Sequence, residues 1–163
     1  DFGGLVSKKV TTILTNTEFI YTDELLLARI LNNLLTNAIN YSPLGSPVHI
    51  QALSDSQNHF KINVIDAGNG VPIEMQAKIF ERFTRGNQES TVTGLGLGLA
   101  LSRELVKSLG GTLSVTNVVP HGACFTIELP QPSQIEQRQF ASQLHHQSHI
   151  SINSPSDYEN LPT

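Results

Sequence analysis

The sequence has 163 residues, of which 39% are hydrophobic and 15% are charged. This length supports one domain with its own core, and the composition is typical of a globular protein. The formal net charge of -4 and the scattered Lys and Arg residues give no sign of a nucleic-acid partner. Cys124 is the only cysteine, which excludes a disulfide framework and a multi-cysteine metal site. No apolar run approaches the roughly 20 residues that cross a bilayer. We therefore expect a cytoplasmic domain without direct membrane contact, whose parent protein could still be membrane-anchored.

The N-terminal part of the chain predicts a short hairpin followed by a long helix. Residues 1–9 are weakly patterned and are interpreted as a linker or a chain end. Val10 to Leu14 and Glu18 to Tyr21 are β-prone runs separated by a polar turn, which predicts a hairpin. Asp23 lies where a helix N-cap is expected, and apolar residues recur at helical spacing from Glu24 to about Tyr41.

The remaining pattern is mixed and ends before the C-terminus. Strands are predicted at Val48–Leu53, His59–Ile65, Thr112–Asn117 and Cys124–Leu129, and helices at Ile73–Ile79 and Gly96–Leu109. Gly110-Gly111 is a C-cap signal for the last helix. Residues 131–163 are rich in Gln, Ser, His, Asn and Pro and are interpreted as a disordered tail or linker. The predicted domain therefore spans residues 10–130.

A polar stripe marks the first long helix. Asn33 and Asn37 are four residues apart and Asn40 follows three later, so the three side chains share one face. A carboxamide offers a hard oxygen for Mg²⁺ and an N–H donor for a phosphate oxygen. For this segment alone, a solvated polar face is the default interpretation.

A Gly-rich loop follows the strand that ends at Ile65, with the sequence Asp66-Ala67-Gly68-Asn69-Gly70-Val71-Pro72. Asp66 could accept a hydrogen bond from an exocyclic amine. The glycines allow the backbone to turn tightly and approach a flat ring. An ordinary Asp-Gly turn is the alternative.

Two further segments are suited to phosphate. Phe80 and Phe83 can anchor one end of a polar loop on the core, and Arg82 and Arg85 can face phosphate, although simple aromatic packing is the alternative. The stretch Gly94-Leu95-Gly96-Leu97-Gly98-Leu99 leads into a helix, whose free N–H groups and dipole favour an anion. Its spacing fits neither a Rossmann fingerprint nor a Walker A loop.

Taken in this order, the four segments resemble the N, G1, F and G2 boxes of the histidine kinase branch of the ATPases that include gyrase, the heat-shock chaperone ATPase and the mismatch-repair ATPase. Residues 122–130 also resemble the closing strand of the kinase domain. The resemblance covers about Val10 to Pro130. It implies an α+β fold, a two-layer α/β sandwich of the Bergerat type. In that fold a mixed sheet is covered on one face by about three helices, and a mobile ATP lid lies at about Thr84 to Thr93.

The resemblance also implies roles for individual residues. Asn37 would coordinate Mg²⁺ bridging the ATP phosphates, Asn33 would lie near the γ-phosphate, and Asp66 would bind the adenine amine. Asn33 and Asn37 are thus the candidate catalytic residues. Further contacts to the nucleotide are implied for Asn40, Tyr41, Gly68, Gly70, Val71, Phe83, Arg85, Gly94, Leu95, Gly96, Leu97, Gly98 and Leu99.

The first Asn of the stripe separates the kinase branch from the hydrolytic relatives. Those relatives carry a Glu general base four residues before the metal Asn, whereas Asn33 cannot take a proton at neutral pH. The resemblance therefore implies transfer of the γ-phosphoryl group to a histidine. The partners would be the histidine-bearing dimerisation domain of a homodimeric parent kinase and a response regulator receiver domain. No segment matches the phosphoacceptor motif, so this chain alone is not expected to autophosphorylate.

Two alternatives remain open from the sequence. Many family members carry Lys where this chain has Asn40, which leaves room for a degenerate nucleotide-binding module that regulates by binding alone. A serine kinase or anti-sigma regulator of the same fold is the other alternative. Such proteins usually keep the acidic residue that Asn33 replaces, and the Phe80 and Phe83 segment favours the sensor kinases.

Overall fold

The computed structural model describes residues 10–14, 20–54, 59–84, 96–132 and 136. The chain divides into two units, Asp1–Gln131 and Pro132–Thr163, and every element described below belongs to the first. The predicted linker at 1–9 and almost all of the predicted tail at 131–163 lie outside the described residues, so these domain boundaries stay predictions.

In the described part of the chain, five strands form a mixed sheet in the order β1-β2-β3-β5-β4. Their bounds are β1 Val10–Leu14, β2 Val48–Ser54, β3 His59–Ile65, β4 Thr112–Asn117 and β5 Ala123–Pro130. The first pair, β1 and β2, is parallel, and the other three pairs are antiparallel. The last hairpin places β5 in the sheet beside β3, so the Gly-rich loop after β3 emerges next to the start of β5.

Alternation of apolar residues decides which face of the sheet is buried. In β3, Phe60, Ile62 and Val64 are buried, whereas the residues between them are half-buried. Ile62 lies opposite Ile127 of β5, and among the described residues both belong to the hydrophobic cluster shared with the helices. The sheet and the helices therefore enclose a common core, which confirms the expected two-layer α+β sandwich.

The first helix, α1, runs from Glu24 to Tyr41 as predicted. Asp23 caps it, with Oδ1 accepting a hydrogen bond of 3.0 Å from the Leu26 N–H. Ile30, Leu34 and Ala38 recur every four residues and are buried, so this stripe fixes which face of α1 meets the sheet. The asparagines lie along one edge of this buried stripe.

The second helix, α2, runs from Gly98 to Ser108, two residues later than the predicted start. Gly96 has a φ of +66°, which is outside the helical region, and this explains the later start. At the other end Gly110 has a φ of +76° and its N–H donates to Lys107 O, while the Gly111 N–H donates to Val106 O. This is a complete Schellman cap, as the glycine pair indicated.

Two sequence predictions require correction. The hairpin between Val10–Leu14 and Glu18–Tyr21 is wrong in its described part, because Ile20 and Tyr21 are in no strand and β1 pairs in parallel with β2. A β-prone run takes whichever partner the tertiary fold supplies. The predicted helix at Ile73–Ile79 is instead two short 3-10 turns, Ile73–Met75 and Lys78–Phe80.

Candidate functional site

The polar stripe of α1 reaches the start of α2. Asn33 and Asn37 are half-buried, whereas Asn40 is exposed. Asn33 Nδ2 donates a hydrogen bond of 2.8 Å to Ser102 Oγ, and Ser102 is only 2% exposed. The bond fixes the orientation of the Asn33 carboxamide between the two helices.

Gly98 opens α2 directly against that carboxamide. A Cβ at this position would collide with Asn33 Oδ1 and approach Asn33 Cγ to 3.0 Å. Leu97 occupies the N-cap position of α2, and its apolar side chain cannot accept a hydrogen bond. The first N–H groups of α2 therefore have no side-chain cap. An uncapped helix start beside carboxamides is chemically suited to an anion. Of the flanking leucines, Leu97 is 37% exposed and Leu99 packs against the core.

The segment 85–95 lies outside the described residues, and with it Arg85, Gly94, Leu95 and most of the predicted lid. The residues that flank it are joined, since the Phe83 N–H donates to Gly96 O at 3.0 Å. A Cβ on Gly96 would lie 2.9 Å from Thr84 O, so this approach requires a glycine. The two ends of the segment therefore meet beside the start of α2.

The two phenylalanines of the third segment have different environments. Phe80 is buried, stacks edge-on against Phe125 at 6.4 Å and lies under the Arg103 guanidinium at 5.5 Å. Phe83 is 72% exposed and has a φ of +64°. The prediction that both rings anchor the loop on the core is therefore correct for Phe80 and wrong for Phe83, whose left-handed backbone turns it out of the core.

Asp66 is a buried carboxylate that organises the Gly-rich loop. It is 7% exposed, and its Oδ1 accepts hydrogen bonds from the N–H groups of Gly68 at 2.8 Å and Ala123 at 3.1 Å. Its own N–H donates to Ala123 O at 2.9 Å. Both side-chain bonds use Oδ1, so the position of the carboxylate is set by backbone donors.

The loop packs closely on the end of α1. A Cβ on Gly68 would lie 2.7 Å from Tyr41 O, and the Ala67 N–H donates to Ser42 Oγ at 3.2 Å. Tyr41 itself is half-exposed at the edge of this contact. Asn33 and Tyr41 are eight residues apart on α1, which is about 12 Å along the helix axis. The site is thus elongated, with Gly98 at one end and the Asp66 loop at the other.

Sequence reasoning missed three residues that shape this site: Ser42, Ser102 and Asn117. Asn117 ends β4, and its side chain makes two hydrogen bonds to the backbone of Val71. Ser42 follows the polar stripe directly and its place at the helix end was a usable signal. Ser102 and Asn117 meet their partners across 69 and 46 residues of sequence, and no local pattern marks them.

Cys124 lies beside the loop in β5. Burial raises the pKa of its thiol, the negative charge of Asp66 raises this pKa as well, and the contact with Thr126 Oγ1 lowers it. The thiol is therefore a poor nucleophile in the native state.

Within the described ranges, none of the helices combines the length and the apolar character that a membrane span requires. The same residues hold no group of three or more His, Cys, Asp and Glu side chains that could bind a metal ion.

The sequence and the fold are similar to those of known proteins. The family model described as histidine kinase-, DNA gyrase B- and HSP90-like ATPase matches residues 22–133. The sensor protein KdpD of Escherichia coli K12 is 40% identical over 121 residues, which cover 74% of this chain and 13% of KdpD. The adaptive-response sensory kinase SasA of Rippkaea orientalis is 36% identical over 111 residues, which cover 68% of this chain and 28% of SasA.

Solved structures also match the fold of this chain. The mycobacterial sensor histidine kinase MprB matches with a TM-score of 0.69 and 29% identity, covering 77% of this chain and 85% of that one. Full-length ShkA in complex with AMPPNP matches with a TM-score of 0.69 and 28% identity, covering 78% of this chain and 26% of that one.

These matches define a sensor-kinase type of ATP-binding catalytic domain. The chain belongs to the family of histidine kinase-, DNA gyrase B- and HSP90-like ATPases, and within it to the sensor histidine kinase branch. It spans only about an eighth to a quarter of the length of the two curated relatives described above.

Proposed function

We propose that this domain binds Mg-ATP and donates the γ-phosphoryl group to a histidine on a separate dimerisation domain of its parent kinase. The response regulator receiver domain of a two-component system would then accept the phosphoryl group, and the parent would act as a homodimer. The single observation that supports nucleotide binding is the hydrogen-bond geometry of the buried Asp66 carboxylate.

Asp66 is suited to the adenine amine. Two backbone donors occupy its Oδ1, from Gly68 and Ala123, so Oδ2 is left for a ligand. A buried carboxylate oxygen discriminates strongly in favour of a ring that carries an amino group, because a ring without that donor leaves it unpaired. Gly68 and Gly70 let the loop backbone pack directly against Tyr41 O and the Asn117 carboxamide.

The other end of the site is suited to phosphates. A nucleotide lying along α1 with its base at Asp66 would extend its phosphates toward Asn33, Asn37 and the start of α2. The uncapped N–H groups at Gly98 would then bind phosphate oxygens, and Leu97 and Leu99 would flank them. Tyr41 and Val71 at the Asp66 end, Asn40 on α1 and Phe83 beside the start of α2 remain proposed contacts, together with Arg85, Gly94 and Leu95 of the segment outside the described residues.

The donor set also fits Mg²⁺. Asn37 offers a carboxamide oxygen and is half-buried beside Asn33. Mg²⁺ takes one or two protein oxygens together with substrate phosphates and retains several waters, so one amide oxygen is a sufficient protein contribution. When bound, the ion would neutralise charge on the phosphates.

The residues at the phosphate end favour transfer over hydrolysis. Asn33 donates to Ser102 and has no group that could take a proton from water. A neutral imidazole already carries a nucleophilic lone pair and needs no such base. In the transfer, a bond forms between the imidazole nitrogen and the γ-phosphorus, the bond from that phosphorus to the β,γ-bridging oxygen breaks, and ADP leaves. The role of this chain is to position the group and balance its charge.

The test is phosphoryl transfer in trans. The chain is mixed with ATP labelled at the γ-phosphate and with the histidine-bearing domain of the parent protein as a separate chain. We expect acid-labile labelling of that domain, which is lost when its phosphoacceptor histidine is changed to Gln or when Asn37→Ala is used. Nucleotide binding without any transfer would instead support the regulatory module that the Asn40 departure suggests.

A further inference from the structure

The side chain of Asn117 pairs with one residue of the Gly-rich loop as a second backbone strand would. Asn117 Oδ1 accepts a hydrogen bond of 2.7 Å from the Val71 N–H, and Asn117 Nδ2 donates one of 2.9 Å to Val71 O. Both main-chain polar groups of Val71 are therefore held by one carboxamide. Only an amide side chain presents an acceptor and a donor side by side in this way at neutral pH.

The same hairpin holds the other end of the loop. Asn117 lies opposite Ala123 in the β4–β5 register. Ala123 donates to Asp66 Oδ1 and accepts from the Asp66 N–H. Ala123 therefore holds Asp66, which begins the loop, and Asn117 holds Val71, near the end of the loop. These two holding residues face each other across β4 and β5.

The turn between these two anchors is shaped around Asn117. Gly70 has a φ of +75°, and a Cβ there would lie 2.8 Å from Asn117 Oδ1 and 3.1 Å from Gly122 O. The backbone of the loop therefore rests against the carboxamide. The two hydrogen bonds of Asn117 therefore hold Val71 in its position relative to Asp66.

We propose that Asn117 is a positioning residue that sets the affinity and the selectivity of this site for the purine base. This inference rests on the proposed function, because it takes the loop from Asp66 to Val71 as the base site. Asn117 acts through the loop, whereas the phosphate end at Gly98 depends on α1 and α2. Loss of the Asn117 pairing should weaken binding of a nucleotide without weakening binding of a bare polyphosphate.

The test uses the isosteric variant Asn117→Asp. The aspartate keeps an acceptor for the Val71 N–H but places a second oxygen against Val71 O, so one hydrogen bond becomes a repulsive contact. Ser114→Asp is the matched control, since it adds the same charge at an exposed position of the same strand. Binding of ADP, GDP and inorganic tripolyphosphate, each with Mg²⁺, is measured by calorimetry, and denaturation shows that each variant is folded.

We expect Asn117→Asp to weaken ADP binding about 10-fold or more and to reduce the preference for ADP over GDP. Tripolyphosphate binding should stay within about twofold, and Ser114→Asp should match the wild type in all three titrations. An equal loss for ADP and tripolyphosphate, or no loss for ADP, would overturn the inference. Absence of ADP binding by the wild-type chain would instead contradict the proposed function.

A second measurement covers the case in which Asn117→Asp does not fold. Amide hydrogen exchange of the wild-type chain should show a slowly exchanging Val71 N–H, which becomes fast in Asn117→Ala. Slow exchange retained in Asn117→Ala would show that the Val71 N–H is protected without Asn117, and would equally overturn the inference.

Discussion

Asn33 and Ser102 join α1 to α2 at the proposed phosphate end of the site, through a hydrogen bond of 2.8 Å from Asn33 Nδ2 to Ser102 Oγ. Ser102 is 2% exposed, so the bond is shielded on the α2 side. The residue proposed to lie near the γ-phosphate is therefore held in place by a residue of α2 before any ligand binds. Preorganisation of this kind reduces the ordering that binding would otherwise require.

Ser102→Ala should destabilise the domain. The change leaves the Asn33 donor without its partner, which costs about 1 to 2 kcal/mol in the free energy of unfolding. Ser108→Ala is the control, because it removes a hydroxyl from an exposed position of the same helix, where Oγ donates to Leu105 O three residues earlier. Urea denaturation measures the free energy of unfolding of both variants. Equal stability of the two variants would show that the Asn33–Ser102 bond contributes no more than this exposed local bond.

Gly98→Ala should be harmful only while Asn33 is present. An alanine is normally favourable at a helix start, but here its Cβ would meet the Asn33 carboxamide. We expect the single variant to lose about 1 to 3 kcal/mol of stability through overpacking. In the Asn33→Ala background the same change should be neutral or stabilising. A double-mutant cycle by urea denaturation measures the coupling, and purely additive effects would contradict the contact.

Two substitutions of Asp66 should distinguish its contribution to the stability of the domain from its contribution to nucleotide binding. Asp66→Ala removes the acceptor of two backbone N–H groups, from Gly68 and Ala123, and should cost about 2 kcal/mol of stability or more. Asp66→Asn keeps an oxygen in that position and should remain within about 1 kcal/mol of the wild type. It nevertheless replaces the second oxygen by a donor, which cannot accept from an adenine amine. Thermal or urea unfolding combined with ADP titration distinguishes the two effects.

The thiol of Cys124 should react slowly in the folded protein. Burial is the main cause of its raised pKa, so little thiolate is present at pH 8. Alkylation by iodoacetamide at that pH should be at least about 10-fold slower in the native chain than in urea. Comparable rates in the two states would contradict the buried environment.

The same raised pKa predicts a pH dependence of stability. Below the ordinary thiol pKa of 9.0, folded and unfolded chains both hold the proton and the contribution of Cys124 is constant. Above it the unfolded thiol loses its proton while the native thiol keeps it, so stability falls as pH rises further. Cys124→Ala should make this decline shallower, as measured by urea denaturation from pH 8 to 10. An unchanged slope would assign the decline to other groups.

Local signals in the sequence account for most of the fold. Asp23 and the apolar stripe of α1 predicted that helix with its correct ends, and alternation predicted β3 residue for residue. The predicted bounds of β4 are also correct. The parallel pairing of β1 with β2 was not predictable from local pattern, because a strand's partner is chosen by the tertiary fold.

The same distinction between local signals and distant contacts applies to the candidate site. Asp66 and Gly68 were both predicted in one Gly-rich loop, and the structure joins them by a hydrogen bond. The supports provided by Ser102 and Asn117 come from distant segments, where neither spacing nor composition distinguishes a supporting residue from an ordinary surface serine or asparagine. Such residues become visible only when hydrogen-bond partners are assigned in three dimensions.

The measurement that tests the central claim most directly is calorimetric titration of the chain with ADP and with a non-hydrolysable ATP analogue, each with and without Mg²⁺. It is repeated for Asp66→Asn and Asn37→Ala. We predict binding that is strengthened by Mg²⁺, and that is lost or weakened about 10-fold or more in each variant. Absence of binding by a folded wild-type sample, or binding that neither variant alters, would contradict the assignment of this site to Mg-ATP.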